Sequence, residues 1–519
     1  MSLPGGRGAP IEMPQRKRAL DKDLKQIVRI ESATYETSRG IVSLGFGILF
    51  LVAVWIFATL QVGTGGQGMF VIGAAVIGGY MALNIGANDV ANNVGPAIGA
   101  RALTMTGALI IAAVCEAAGA ILAGGDVVAT VSKGIVDPAQ MPGADAFVRV
   151  MMAALLSAAL WINLATIIGA PVSTTHAIVG GVMGGGIAAA GLAVVDWPVM
   201  AAIAASWVIS PVLGGLIAAA LLGLVNALIL NQADRITAAR RWVPILVALT
   251  AAVFAAYLLV KGLDGIWEAE GWTVLAIGAA TFFAVHVPVH RAVARHAPFL
   301  DSSKKAVGSL FTIPLICSAG LLSFAHGAND VANAVGPLAA IVGTIAAGNV
   351  AAEVRVPIWV MLVGAAGISI GLALFGPKLI RTVSEQITKL NRIRAFCVAL
   401  SAAITVIVAS ALGLPVSSTH IAVGGIFGVG FAREIYSNRG GHIRRGRRQL
   451  EAAEAWQSEP ADAVVLSPDR LAIKLEKARK RKLVRRSHLL TIVAAWLVTV
   501  PASALLSAGL YWALRGILG

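Results

Sequence analysis

Apolar residues run along this chain in blocks of membrane-spanning length, separated by short polar stretches. The blocks fall at 41–62, 68–98, 103–125, 147–169, 171–191, 198–228, 243–261, 271–290, 308–340, 357–377, 393–412, 415–431 and 488–515. An α-helix rises about 1.5 Å per residue, so about twenty apolar residues cross the hydrocarbon core of a bilayer. Only helices and closed barrels satisfy their backbone polar groups in lipid. The pattern therefore predicts an all-α polytopic membrane protein with about 12–13 transmembrane helices, some of them discontinuous or hairpin segments. The blocks at 171–191 and 415–431 are short or interrupted by Gly and Pro, and they occupy corresponding places in two halves of the chain. Paired segments of this kind mark the binding site of many transporters.

Composition sharpens the class. Of 519 residues, 57% are hydrophobic and 13% charged, which excludes an ordinary soluble domain. The 57 glycines suit close approach of helices in lipid. Cys115, Cys317 and Cys397 lie apart in apolar runs, forming neither a CxxC pair nor a disulfide framework. The net charge is +15, yet the basic residues gather in four places: the N-terminal tail, 235–241, 291–305 and 433–487. That is a topology signal rather than a nucleic-acid surface, and it puts all four in the cytoplasm. No cleavable leader is evident. The expected organisation is a cytoplasmic tail (1–40), an additional helix (41–62), a first repeat (65–230), linking helices and loops (231–305), a second repeat (306–432), a basic cytoplasmic insertion (433–487) and a closing helix (488–515). The N-terminus lies in the cytoplasm and the C-terminus outside the cell (inner) membrane. The 433–487 segment is read as a solvated cytoplasmic loop that fixes topology or as a contact with anionic lipid or a regulatory partner, its part from Pro468 to Arg486 being able to form a basic amphipathic helix.

Two phrases are written twice. Gly86-Ala87-Asn88-Asp89-Val90-Ala91-Asn92 returns as Gly327-Ala328-Asn329-Asp330-Val331-Ala332-Asn333. A carboxylate at membrane depth is costly and is retained for pairing or ion handling. The loop charges orient the two copies oppositely, as an inverted-topology repeat. Pro171-Val172-Ser173-Thr174-Thr175-His176 returns as Pro415-Val416-Ser417-Ser418-Thr419-His420. Proline interrupts a helix, and Ser or Thr caps the helix that restarts. Backbone donors at such a start, with neighbouring hydroxyls, form an anion site without fixed positive charge. The carboxylates would repel an anion, so Asp89 and Asp330 are expected to bind a cation, or Na⁺ as metal ligands if coupling is to sodium. Glu116 in its apolar helix, and His176 and His420 after the hydroxyl clusters, are candidates for coupling or gating.

Electrostatics calls for co-transported cations. Moving one charge against 100 mV costs about 2.3 kcal/mol, so importing a divalent anion costs about 4.6 kcal/mol. Two cations cancel that electrical term and a third makes uptake favourable. No Walker loop, nucleophile elbow or Cys/His cluster supports an enzyme, and no cofactor is expected beyond the coupling cation, Na⁺ or H⁺.

The two Asp-Asn phrases, the two Pro-Val-Ser-(Thr/Ser)-Thr-His phrases, Ser206 to Pro211, and Ala495 to Pro501 resemble the inorganic phosphate transporter (PiT) family over most of 65–515. The resemblance implies a cation-coupled phosphate symporter working by alternating access. It implies Asn88, Asp89, Asn92, Asn329, Asp330 and Asn333 in cation and substrate binding. It places Ser173, Thr174, Thr175, Ser417, Ser418 and Thr419 at phosphate, and matches Glu116 to an acid important for transport. The 41–62 helix and the length of 433–487 depart from the usual pattern, and Ala399 stands where many relatives carry an acid. Sulfate or another tetrahedral oxyanion, and a non-transporting anion sensor, remain alternative readings. The expected partners are inorganic phosphate, the coupling cation and the lipid bilayer, with a homodimer left open and no nucleic acid.

Overall fold

The computed structural model describes residues 40–168, 172–262, 267, 269–349, 356–386, 390–455 and 486–518. Residues Met1–Phe50 separate as one unit, and Leu51–Gly519 form the other. The first contributes the beginning of helix α1 (Gly40–Val62). The second holds α2 (Gly66–Gly99), α3 (Met105–Ala123), α4 (Ala144–Ile168), α5 (Thr174–Ala190), α6 (Trp197–Val225), α7 (Arg235–Tyr257) and α8 (Gly271–His296). It continues with α9 (Thr312–Asp330), α10 (Ala332–Ala347), α11 (Ile358–Gln386), α12 (Arg392–Ala411), α13 (Ser418–Ala455) and α14 (Arg486–Leu518). The described residues contain no β-strand, only an isolated bridge between Val136 and Val195.

Among the described residues, eleven helices are long and apolar enough to cross a membrane. The two remaining apolar blocks are α5 and the first part of α13, the Gly-rich segments that restart after the Pro-Val-Ser phrases. The protein is thus an all-helical, multi-pass membrane protein. When the short α5 is counted with the spans, six helices, α3 to α8, separate α2 from α9, which sets α2 and α9–α10 in opposite directions, as an inverted repeat requires.

The halves interlock rather than sit side by side. Helix α2 packs along α11 while α9 packs along α3, and α5 packs on α14 while α13 packs on α6. Small residues permit this closeness. A Cβ on Gly86 would fall on the backbone of Ile368, and a Cβ on Gly327 would fall on the backbone of Glu116. This explains why both Asp-Asn phrases open with Gly. Helices α7 and α8 pair with each other, and α8 leaves Phe283, Leu275 and Trp272 exposed, as a lipid-facing helix does.

Local chemistry sets the helix ends. Thr104, Asp196, Asp234 and Asn391 cap α3, α6, α7 and α12 by accepting backbone N–H bonds with their side chains. At the end of α12, Gly413 takes φ +66°, which a side chain would disfavour. Its amide donates to Ser410, that of Leu414 donates to Ala409, and the chain turns back towards α13.

One boundary differs from expectation. Helix α13 does not end near 431 but continues to Ala455, through the first part of the basic insertion. Arg, Glu, Gln and Ala are good helix formers, and they extend a helix already nucleated by buried packing. The tail before 40 and the stretch from Pro468 to Arg485 lie outside the described residues.

Candidate functional site

The two polar phrases of each half meet at the centre of the interlocked helices. Asp89 on α2 and Asp330 at the end of α9 are each 1% exposed, and Glu116 on α3 is 0% exposed. These three are the buried carboxylates among the described residues. Unpaired, each would be strongly destabilising, so their surroundings decide what they can do.

Each hairpin helix begins at the Ser/Thr cluster for a specific reason. The first Ser of each phrase is the cap. Ser173 accepts from the amide of His176 at 3.2 Å, and Ser417 accepts from that of His420 at 3.4 Å. The following hydroxyls turn to the acids. Thr174 donates to Asp89 Oδ2 at 3.0 Å, and Ser418 donates to Asp330 Oδ2 at 3.3 Å. Thr419, from the second half, donates to Asp89 Oδ1 at 3.0 Å and accepts from Asn92 at 2.8 Å. The reciprocal contact runs from Asn333 to Thr175 at 3.2 Å. Asn333 also reaches Thr174 at 3.4 Å, and Thr175 donates to the carbonyl of Val416 at 3.0 Å. The centre is therefore one network drawn from both halves. Hydroxyl oxygens and carboxylates stand together beside two helix N-termini, the donor set for a hard cation and an oxyanion in one place.

The asparagines divide into two kinds. Asn92 and Asn333 join the hydroxyls. Asn88 donates to the carbonyl of Val172 at 3.1 Å and to Asp89 Oδ1 at 3.0 Å. Asn329 donates to Ser410 at 2.9 Å and to the carbonyl of Leu414 at 3.1 Å, and accepts from the amide of Val416 at 3.1 Å. These two clamp the irregular backbone that precedes each hairpin helix. Asn329→Ala would leave buried hairpin groups unpaired, a cost of about 1–3 kcal/mol each. The expected result is a lower thermal midpoint in detergent than for Asn92→Ala, whose amide touches only side chains. Equal midpoints would remove the clamping role.

His176 and His420 meet across the halves with ring centroids 4.6 Å apart, and His176 lies 3.8 Å from the ring of Trp207. The Trp207 indole donates to the carbonyl of Pro415 at 3.1 Å, tying α6 to the second hairpin.

Two residues missed in the sequence stand beside the acids. His326 is fully buried, with Nε2 2.9 Å from Asp330 and 3.7 Å from Asp89, and Nδ1 3.3 Å from Glu116. Asn93, also fully buried, donates to Glu116 Oε1 at 2.8 Å. The signal was available: His326 precedes the second Gly-Ala-Asn-Asp phrase where Ile85 precedes the first, and Asn93 follows the first where Ala334 follows the second.

Comparison with known proteins agrees with this architecture. The model of the phosphate transporter family, PHO4, matches residues 85–507, from the residue before the first Asp-Asn phrase into the last helix. A Helicobacter pylori protein named as a candidate phosphate permease is 45% identical over 527 residues, covering 95% of this chain and 98% of that protein. A similarly named Pyrococcus abyssi protein is 38% identical over 362 residues, covering 69% of this chain and 88% of that protein. The solved structure described as the sodium-dependent phosphate transporter superposes with a TM-score of 0.74 at 35% identity, covering 86% of this chain and all of that one. With both Asp-Asn phrases and both hairpin phrases inside the matched region, this chain belongs to the phosphate transporter family.

Proposed function

We propose that this protein imports inorganic phosphate together with a cation, Na⁺ or H⁺, by alternating access around the central network. The observation that carries the proposal is the convergence of hydroxyls from both hairpin helices on the buried carboxylates, Thr174 and Thr419 on Asp89 and Ser418 on Asp330. Asp89 and Asp330 hold the cation. Thr174, Thr175, Ser418 and Thr419, with the helix starts behind them, receive the phosphate, while Ser173 and Ser417 cap and Asn88 and Asn329 hold the hairpin backbone. A cation bound among hydroxyls that also face the anion lowers the energy of both, which is the physical basis of obligatory coupling. Cation charge also offsets the electrical cost of moving a divalent anion inward. The sodium dependence named for the solved neighbour favours Na⁺. The protein acts as a transporter and not as an enzyme.

The basic loops support a cytoplasmic N-terminus by the positive-inside rule. With that orientation, the start of α4 and the end of α14 lie at the outer face. A half-open cavity of about 660 Å³ there is lined by Gln67, Asp145, Arg149, Thr344, Tyr511 and Arg515, and its arginines would favour arrival of an anion.

Uptake of radiolabelled phosphate into proteoliposomes, with Na⁺ and H⁺ gradients imposed separately and sulfate in excess, tests the proposal. The expected result is concentrative uptake driven by one gradient and resistant to sulfate. Absence of uptake under both gradients, or its abolition by sulfate, would overturn it.

A further inference from the structure

The two halves of the core match helix for helix, so a cluster found at only one of two symmetry-related places needs its own explanation. Gly327 packs on the Glu116 backbone as Gly86 packs on that of Ile368, so Glu116 and Ile368 hold equivalent places. His326 is likewise the counterpart of Ile85, and Asn93 of Ala334. The second repeat thus supplies an imidazole where the first has Ile, and the first supplies a carboxylate and an amide where the second has Ile and Ala; the three meet in one cluster whose symmetry-related counterpart is apolar. Capping a hairpin and packing a bundle are tasks both halves share, so neither accounts for the difference.

The geometry of the three residues is specific. His326 stands four residues before Asp330, one helical turn away on the same side of α9. Its Nε2 faces two carboxylates, Asp330 Oδ2 at 2.9 Å and Asp89 Oδ2 at 3.7 Å. Its Nδ1 faces Glu116 Oε2 at 3.3 Å, and Glu116 is itself held by Asn93. Despite these distances, neither ring nitrogen of His326 is aligned for a hydrogen bond, and Asp330 Oδ1 and Glu116 Oε2 are also buried without one. Four polar atoms left in this state in a dry core are a poor ending for a purely structural cluster. Among them, Nε2 looks onto the oxygens of two acids, as a ligand of a shared ion would, while Nδ1 and Glu116 Oε2 face each other behind it. The donor atoms of Asp89, His326 and Asp330 lie within 4.8 Å of one another. Separations of 2.9 and 3.7 Å are ones that a single ion with bonds of about 2.0–2.2 Å can span.

The donor types narrow the class of ion. A hard monovalent cation uses oxygens and gains little from imidazole, whereas imidazole with carboxylates suits first-row dications. A histidine that ligates such an ion turns its other nitrogen to a carboxylate, which fixes the tautomer and the ring orientation. Glu116 stands in that position behind His326.

We propose that Asp89, His326 and Asp330 bind a first-row transition-metal dication such as Zn²⁺ or Co²⁺, in competition with the coupling cation, with Glu116 and Asn93 positioning His326. This rests on the reading of Asp89 and Asp330 as the cation-binding acids. Bound there, the dication occupies the carboxylates that the coupling cation needs and holds α2 to α9, so it blocks uptake.

The test titrates Co²⁺ into the purified, tag-free protein in detergent without phosphate, followed by visible absorption and calorimetry, with Zn²⁺ as displacing ion. The expected result is one Co²⁺ per chain, displaced by Zn²⁺. Affinity falls about 100-fold or more in His326→Gln and about 10–100-fold in Glu116→Gln. His290→Gln, at an exposed position on α8, binds as the parent does. In proteoliposomes, Zn²⁺ inhibits uptake and a raised concentration of the coupling cation relieves the inhibition. If His326→Gln fails to fold, Glu116→Gln decides, because it keeps the shape of the side chain and alters only its acceptor. No stoichiometric Co²⁺ binding by the parent, or affinity unchanged in the variants that fold, would overturn the site. Binding is read without gradient or phosphate, so its loss with uptake intact sinks the metal site alone. Binding intact with no uptake sinks the transport reading alone.

Discussion

Asp89→Asn is expected to reduce phosphate uptake by at least about 100-fold, and Asp330→Asn to reduce it comparably. Asp89 is an acceptor surrounded by donors: Asn88 at 3.0 Å, Asn92 at 3.4 Å and Thr419 at 3.0 Å on Oδ1, and Thr174 at 3.0 Å on Oδ2. An amide keeps the volume, but it removes the charge and turns one acceptor into a donor facing other donors. Hydrogen bonds to a charged group contribute about 1.5–3 kcal/mol each. Losing two of them gives about 3–6 kcal/mol, and each 1.4 kcal/mol is about tenfold in an equilibrium. On the proposed function, the cation loses its countercharge as well. Asp330 has fewer donors: Ser418 donates to Oδ2 at 3.3 Å, His326 Nε2 lies 2.9 Å away without hydrogen-bond alignment, and Oδ1 has no hydrogen-bond partner. Asp330→Asn should therefore lose transport with less loss of stability than Asp89→Asn. Initial uptake rates normalised to reconstituted protein, with thermal midpoints in detergent, separate the two effects. A rate above about a tenth of the parent's in either variant would remove that acid from the coupling site.

Gly327→Ala is expected to be the more damaging change to the fold, although it adds one methyl group. That methyl would land on the backbone of Glu116, where α9 crosses α3. No flexible side chain can move out of the way, so the helices must separate. Overpacking of a tight core costs typically about 1–3 kcal/mol, and a backbone-on-backbone contact belongs at the upper end. Separation also draws His326 and Asp330 away from Glu116, so uptake falls with stability. Gly95→Ala is the matched control: its Cβ would meet nothing within 4 Å, and alanine is the better helix former. The measurement is the thermal midpoint of each purified variant. A Gly327→Ala midpoint equal to that of Gly95→Ala would show that the crossing is looser than the structure has it.

The two changes bear on different kinds of information. Spans were readable because lipid forces uniform apolarity over about twenty residues, a pattern with no dependence on neighbours. The duplicated phrases were readable because intramembrane Asp, Asn and capping Ser are rare enough to stand out. The end of α13 was not, since a basic, polar stretch reads as a loop unless the buried helix before it is known to continue. Similarity to the phosphate transporter family located the candidate residues, yet it did not separate those that clamp backbone from those that join the central hydroxyls.

By itself, the sequence determined an all-helical membrane protein with two antiparallel halves, each carrying one acid phrase and one capped half-helix. It also determined that Gly, Pro and Ser would stand where the helices cross, break and restart. The tertiary structure alone decided the partnerships. Thr419 reaches Asp89 from 330 positions away, and Asn333 reaches Thr175 from 158. It decided that Asn88 and Asn329 hold backbone while Asn92 and Asn333 join hydroxyls, and that His326 and Asn93, from different halves, complete an acid cluster at only one of two symmetry-related places. The physical reason is that lipid selects for helices one at a time, through composition that a sequence displays. The site is made where helices distant in the chain approach within hydrogen-bonding range, through crossing geometry that no periodicity records.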